Sequence, residues 1–340
     1  MVRIAMLSFW HVHAKDYARE AATHPEVEIA ALWDELPERG QREAAARGIA
    51  FYTDIDEVLA RPDIDGVVVD TPTVAHRDVM VMAARAGKHI FTEKVLAPSV
   101  RECNDILAAV RESGVKLVVS LPRLYTGYTT AIKRAVDDGL LGDVTLVRTR
   151  LSHNGALRTP ESPDGWLPPH FFNASECAGG AMIDLGCHPM YLARLFGGLP
   201  ERVSAHYGYV TGREVEDNAV VVLRYANGAL GVVEAGFVNP FSPFTIEIHG
   251  TEGTLLYGMP EAQLFVRSTR LGSSSGSAWI PQLDVPPDGP TAFQQWIAHI
   301  QGEGTPDENL AMAVDLSRLM EAANLSARTG DLVALASLTE

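Results

Sequence analysis

The sequence predicts an α/β chain in two parts. The first is a doubly wound parallel sheet; the second is an α+β domain with an open, mostly antiparallel sheet. Three observations carry this. Strand and helix patterns alternate through the first stretch of the chain, up to Leu121. Beyond that point the alternation stops, and strands follow one another across turn residues. The composition is that of a globular protein long enough for two domains: 340 residues, 46% hydrophobic and 21% charged. The expected domains are 1–121 and 122–340.

The elements follow in order. Ile4–Leu7 is a short apolar run and reads as a buried strand, and Ala14–Thr23 reads as a helix. Val27–Asp34 is a second strand, followed by a helix over 35–48 closed by Gly48. A short helical piece over 54–64 is broken by Pro62 and Asp63. Val67–Val69 is a strand ending at Asp70, with a helix over 75–87 stopped by Gly87. Residues 88–94 and 115–120 read as strands around a helix over 99–114. Strands alternating with helices in this way imply βαβ crossovers and a parallel sheet. Past Leu121 a helix over Thr129–Asp137 precedes a long strand over 144–153. Residues 154–180 are irregular, and Gly179–Phe196 reads as one helix. Strands then recur at 202–210, 218–237, 244–257 and 263–268. Asn227-Gly228 marks a hairpin, since Asn-Gly suits the turns that match strand twist. Gly272–Ser277 reads as a loop, and a helix closes the chain over 307–328.

A net charge of −15 argues against nucleic acid and anionic membranes as partners, because both need a basic footprint. Three scattered cysteines, Cys103, Cys177 and Cys187, give no disulfide framework and fit a reducing compartment. No apolar run has the length of a membrane span, and Arg3 leads at once into a strand rather than a signal segment. The expected location is the cytoplasm.

The chemistry-bearing residues cluster at strand ends. The first turn, Ser8, Phe9, Trp10, His11, Val12 and His13, holds no glycine. Asp34 ends the second strand, where a dinucleotide fold places the carboxylate that binds the adenosine ribose; a helix N-cap is the other use of that residue. No arginine immediately follows it, which favours NAD over NADP. Thr71, Pro72, Thr73 and His76 follow the strand at 67–69 and border the same crevice. Glu93 and Lys94 end the next strand. A lysine there is costly to bury unless its charge is needed, and a surface ion pair is the plainer alternative. Asp184 and His188 are spaced i, i+4 on a predicted helix, as an acid/base pair or a solvated one. His11 and His13 raise a metal reading. An extended His-x-His supplies only two ligands, and the antiparallel strands after residue 200 do not fit the barrel that uses such pairs. No metal is expected, and Cys177 and Cys187 match no zinc spacing.

Taken together, "TPTVAHRDVMVMAARAGKHIFTEK" and "GGAMIDLGCH" resemble two segments of the glucose–fructose oxidoreductase/inositol dehydrogenase/rhizopine-catabolism (Gfo/Idh/MocA) family. "DNAVVVLRYANGALGVVEAGF" and "IEIHGTEGTL" are similar to its sheet strands. The resemblance implies a Rossmann domain binding NAD and a substrate domain with an open antiparallel sheet. It implies an NAD-dependent oxidoreductase acting on a secondary alcohol of a sugar, cyclitol or polyol. Lys94, His188 and Asp184 would be catalytic. Ser8, Phe9, Trp10, His11, His13, Asp34, Thr71, Pro72, Thr73, His76, Glu93 and Lys94 would contact the cofactor. Arg123, Trp166, His170 and Tyr191 would face the substrate. The alternatives are a glycosidase-type redox elimination using NAD and a silent nucleotide-binding sensor or scaffold. A homodimer or homotetramer through the second domain's sheet is expected, because one sheet face has no helix to cover it.

Three departures from the family bear on these expectations. The glycine loop is missing. Val95 stands where the family has a proline, so a trans 94–95 bond is expected, a non-proline cis bond costing about 2.5–4 kcal/mol. Tyr191 stands where the family often has an aspartate.

Overall fold

The computed structural model describes residues 1–338 apart from 260, 273–277, 282 and 283. The loop read over Gly272–Ser277 therefore lies, beyond Gly272, outside the described residues. The chain divides into two units: Met1–Leu121 with Pro290–Ser317, and Pro122–Gly289 with the residues from Arg318 onward. The expected 122–340 domain thus loses residues 290–317 to the first unit.

Six parallel strands build the first unit: β1 (Val2–Leu7), β2 (Val27–Trp33), β3 (Phe51–Tyr52), β4 (Gly66–Val69), β5 (His89–Thr92) and β6 (Leu117–Val119). Their spatial order is β3-β2-β1-β4-β5-β6. The order reverses between β1 and β4, so the residues just past those two strands border the crevice where such sheets bind ligands. The crossover helices are α1 (Ala14–Thr23), α2 (Pro37–Arg47), α3 (Ile55–Leu59), α4 (His76–Arg85) and α5 (Val100–Ser113). Local signals start and stop them. Pro37 opens α2, Ser99 caps α5 by accepting the Glu102 amide, and Gly48 and Gly114 close α2 and α5 in the left-handed region.

In the second unit α6 (Gly127–Asp137) leads into β7 (Val144–Ser152). Three short helices follow, α7 (Ala174–Cys177), α8 (Ala181–Asp184) and α9 (Cys187–Gly197). The sheet continues with β8 (Arg202–Gly208), β9 (Asn218–Arg224), β10 (Leu230–Gly236), β11 (Thr245–Gly250), β12 (Gly253–Tyr257), β13 (Leu264–Ser268) and β14 (Ile280–Pro281). After α10 (Ala292–Ile300) and α11 (Asp307–Thr329), β15 (Val333–Ala334) completes it. The order is β14-β13-β12-β11-β7-β10-β9-β8-β15. β7 and β10 run parallel and the other described pairs antiparallel, so the sheet is mixed. α9 packs on β7 and β10, and α10 packs on β5 and β6, which is why residues 290–317 belong with the first unit. Along β9 the burial alternates. Ala219, Val221 and Leu223 point inward, and Val220 and Arg224 are exposed.

The single predicted helix over Gly179–Phe196 is two. The Gly186 amide donates to the carbonyl of Ala181, five residues back, and this wide turn separates α8 from α9. Glu216 anchors the start of α8 by accepting the Gly180 and Met182 amides, both at 2.9 Å. Burial raises its carboxyl to about 7. The folded pKa lies above the ordinary value, so the native state binds the extra proton. The stability this group contributes is complete below about pH 4.5 and is lost as pH rises through about 7, by about 3 kcal/mol. Urea unfolding of Glu216→Gln is expected to lack that slope; a variant with the parent's pH profile would assign it elsewhere.

Candidate active site

In the first unit, the turn after β1 is folded onto its own backbone. Ser8 takes φ 81°, the left-handed region that a glycine ordinarily supplies. The amides of the turn are then spent within the protein. Ser8 donates to the Trp33 carbonyl at 2.7 Å and Phe9 to Asp34 Oδ2 at 2.9 Å. Trp10 donates to Ser8 Oγ at 3.0 Å, His11 to the Asp70 carbonyl and His13 to His11 Nδ1, both at 3.2 Å. The Phe9 and Trp10 side chains are buried, and the Arg47 guanidinium lies over the Phe9 ring at 4.6 Å.

Asp34 is equally engaged. Besides the Phe9 amide it accepts the Leu36 amide at 2.8 Å. Arg39 grips it with two bonds, Nε to Oδ2 at 2.9 Å and a terminal nitrogen to Oδ1 at 2.7 Å. The same arginine reaches Ser8 Oγ at 3.3 Å and Glu35 at 2.6 Å. Gly40 permits this close packing, because a Cβ there would sit 2.7 Å from the Asp34 Cβ.

A dinucleotide bound in the family's manner needs free amides at this turn and a free carboxylate at Asp34. In this structure those amides are donated within the protein and that carboxylate is filled, so binding in that manner would have to release them. The backbone amides of Ser8, Phe9 and Trp10 and the Asp34 carboxylate are engaged within the turn. The preference for NAD over NADP also loses its basis. No arginine follows Asp34 directly, but α2 brings Arg39 back to it. Arg39→Ala is expected to release Asp34 from its ion pair and shift any nucleotide preference toward NAD by about tenfold, the value of one lost ion-paired contact. Parallel NAD and NADP titrations check this; an unchanged ratio would clear Arg39 of the role.

Deeper in the same unit lies a compact polar cluster at the ends of β4, β5 and β6. Glu93 is buried and hydrogen-bonded by the Tyr17 hydroxyl, which also meets Ser120 Oγ at 2.7 Å. His13 Nδ1 stands 3.5 Å from Glu93 Oε1, Lys94 Nζ 3.7 Å and His11 Nε2 4.0 Å. Burial acts to raise the Glu93 carboxyl. The two imidazoles and Lys94 outweigh it and hold Glu93 well below the usual carboxylate range. Asp70 is fully buried, and burial with Glu93 nearby pushes its carboxyl well above the ordinary value. Lys94 is 4% exposed, so Glu93-Lys94 is no surface pair.

The Lys94–Val95 peptide is cis, against the trans expectation. Val95, Leu96 and Ala97 are buried, and His76 Nδ1 lies 2.9 Å from the Val95 carbonyl. His76 thus braces this segment from a buried position. Thr71, Pro72 and Thr73 are buried beside Asp70.

In the second unit His188 is buried in the first turn of α9, with Nδ1 3.2 Å from the Tyr191 hydroxyl. That hydroxyl accepts the Arg123 amide at 3.0 Å. Tyr191 is fully buried, and its hydroxyl lies between the Arg123 amide and the His188 ring. Asp184 ends α8 and is half-buried, so the expected shared helix face with His188 is interrupted. Arg123 lies over the Phe244 ring at 4.1 Å and donates to the Tyr128 hydroxyl at 3.2 Å. Trp166 is exposed and donates to Asn154 at 3.0 Å, while the His170 ring sits 5.0 Å from that of Phe171. Sequence reasoning missed Arg39, Tyr17 and the contact of Tyr191 with His188. For Arg39 a signal existed, since it lies one helical turn past Glu35.

With this geometry in hand, the comparisons with known proteins agree over both units. A family profile described as "Oxidoreductase family, NAD-binding Rossmann fold" matches residues 8–121. One described as "GFO/IDH/MocA C-terminal domain" matches residues 129–256. The chain is 30% identical to the scyllo-inositol 2-dehydrogenase (NAD(+)) of Bacillus subtilis (strain 168), over 86% of this chain and 82% of that one. It is 29% identical to the 1,5-anhydro-D-fructose reductase of Ensifer adhaerens, over 82% of each. Among solved structures, a levoglucosan dehydrogenase in complex with NADH and levoglucosan shares the fold, with TM-score 0.77 and 22% identity over 98% of this chain and 99% of that one. Among the described residues, no helix is long and apolar enough to cross a membrane.

Proposed function

The chain belongs to the Gfo/Idh/MocA oxidoreductase family, with its NAD-binding Rossmann fold, and on that premise we propose that it transforms a secondary alcohol of a sugar, cyclitol or related polyol. The observation that carries this is Lys94, buried at the end of β5 beside Glu93. An ammonium held there stabilises negative charge developing on a substrate oxygen. His188 Nε2 takes the hydroxyl proton, Tyr191 fixes the ring that receives it, and a bound nicotinamide would take the hydride from the carbinol carbon. Asp184 holds a neighbouring hydroxyl. Acid–base assistance of this kind is worth about 10²–10⁴ in rate.

NAD or NADP is the proposed cofactor, held otherwise than by the amides of the first turn. A second reading, a catalytically silent sensor or scaffold, is favoured by those engaged amides and by the Arg39 grip on Asp34. Fluorescence titration with NAD and NADP separates the two, since Trp10 sits in the turn. Saturable binding of either, with NADH or NADPH appearing on a polyol panel, supports the oxidoreductase. No turnover on any sugar or polyol, with or without nucleotide, would refute the oxidoreductase reading and leave the silent one. A homodimer or homotetramer through the outer face of the second sheet is part of the proposal, and sedimentation of the purified chain tests it.

A further inference from the structure

The two histidines of the first turn have a third companion that lies far away in sequence. We propose that His11, His13 and Glu93 form a binding site for one divalent transition-metal ion of the zinc class. One ligand atom from each of the three lies within 4.8 Å of the others. The measured separations from Glu93 Oε1 are 3.5 Å to His13 Nδ1 and 4.0 Å to His11 Nε2. Ligands of a tetrahedral zinc shell stand about 3.4 Å apart, from bond lengths of about 2.0–2.2 Å. A small side-chain adjustment closes the set around an ion.

The objection raised by sequence was that His-x-His supplies only two ligands. Glu93 supplies the third, because β5 ends one strand away from β1, across β4, in the sheet order. The donor chemistry selects the ion. Two imidazoles with one carboxylate suit zinc, iron, cobalt or manganese, and not the all-oxygen shells of calcium or magnesium. Three protein ligands leave positions open for water or a hydroxyl oxygen, the pattern of reactive rather than structural sites.

An independent observation points the same way. Asp70 is fully buried, and neither of its carboxylate oxygens has a hydrogen-bond partner among the described residues. Its neighbour Val69 pairs with Thr92, which sets Asp70 next to Glu93 at the strand ends, and its carbonyl holds the His11 amide. A second carboxylate without a partner thus adjoins the three donors. Ligation by His11 moves its ring proton from Nε2 to Nδ1 and gives up the 3.2 Å contact with the His13 amide. His13 is half-exposed and marks the side from which the ion enters. The inference stands apart from the proposed activity, because it concerns only what these side chains hold.

The test is metal content and metal affinity of the full, untagged chain. Elemental analysis after purification, then zinc titration by calorimetry on chelator-treated protein, is expected to give one ion per chain. Cobalt is expected to give visible absorption of a low-coordinate nitrogen–oxygen site. His13→Ala, at a half-exposed position, keeps the fold and is expected to weaken zinc at least tenfold; Glu93→Gln is expected to do the same. His249→Ala, in the other unit, is expected to leave zinc binding intact. No heat with zinc, manganese or cobalt overturns the site. So does full affinity in His13→Ala, which would put the ion elsewhere. Separate NAD and NADP titrations of the metal-free and metal-loaded chain read the nucleotide question independently.

Discussion

Lys94→Ala is expected to lower turnover by about 10²–10⁴ while leaving substrate affinity much less changed. The residue is buried, and its ammonium is 3.7 Å from Glu93. Such a group acts most strongly on charge that appears in the transition state, so its loss falls on kcat rather than KM. Lys94→Arg is expected to recover little, because the guanidinium is broader and cannot occupy a compact buried position in the same way. Steady-state kinetics on the substrate found in the polyol panel, with circular dichroism to confirm folding, decides it. A folded Lys94→Ala chain at full turnover would remove Lys94 from the chemistry.

The largest stability effect is expected at Trp296, in α10. Its side chain is fully buried, with the Phe293 ring at 5.6 Å and the Phe91 ring at 5.8 Å. Phe91 in turn meets the Tyr17 ring at 5.1 Å, and Tyr17 holds Glu93. The aromatic stack therefore runs from the core of the first unit to its polar cluster. Gly66 makes room for it, since a Cβ there would come within 2.8 Å of the indole. Trp296→Ala removes the indole and leaves a cavity, a change that costs about 3–5 kcal/mol. Urea unfolding followed by circular dichroism is expected to show a stability loss of that size, seen as a lower midpoint with little change in slope. A loss below about 1 kcal/mol would mean that the site collapses to fill the space.

How much of this was legible beforehand follows from the range over which each signal acts. The alternation of strand and helix through residue 121 is a local pattern, and it placed Asp34, Asp70 and Glu93 at strand ends. The hairpin at Asn227-Gly228 was equally local, and β9 and β10 pair across it. The parallel pairing of β7 with β10 was not, because strands separated by most of a domain choose partners by packing. The break between α8 and α9 turns on one glycine inside an otherwise helical pattern. That glycine signals a break only once its neighbours are fixed.

By itself, then, the sequence determined the fold class, the family and the strand-end positions of the reactive side chains, since hydrophobic periodicity and turn chemistry are written residue by residue. Only the tertiary structure decided which donor won each acceptor. Arg39 and the Phe9 amide took Asp34, Tyr191 took His188, and Glu93 gathered His11, His13, Tyr17 and Lys94. Several donors compete for each such oxygen or nitrogen, and the outcome depends on distances of a few ångström between residues far apart in the chain.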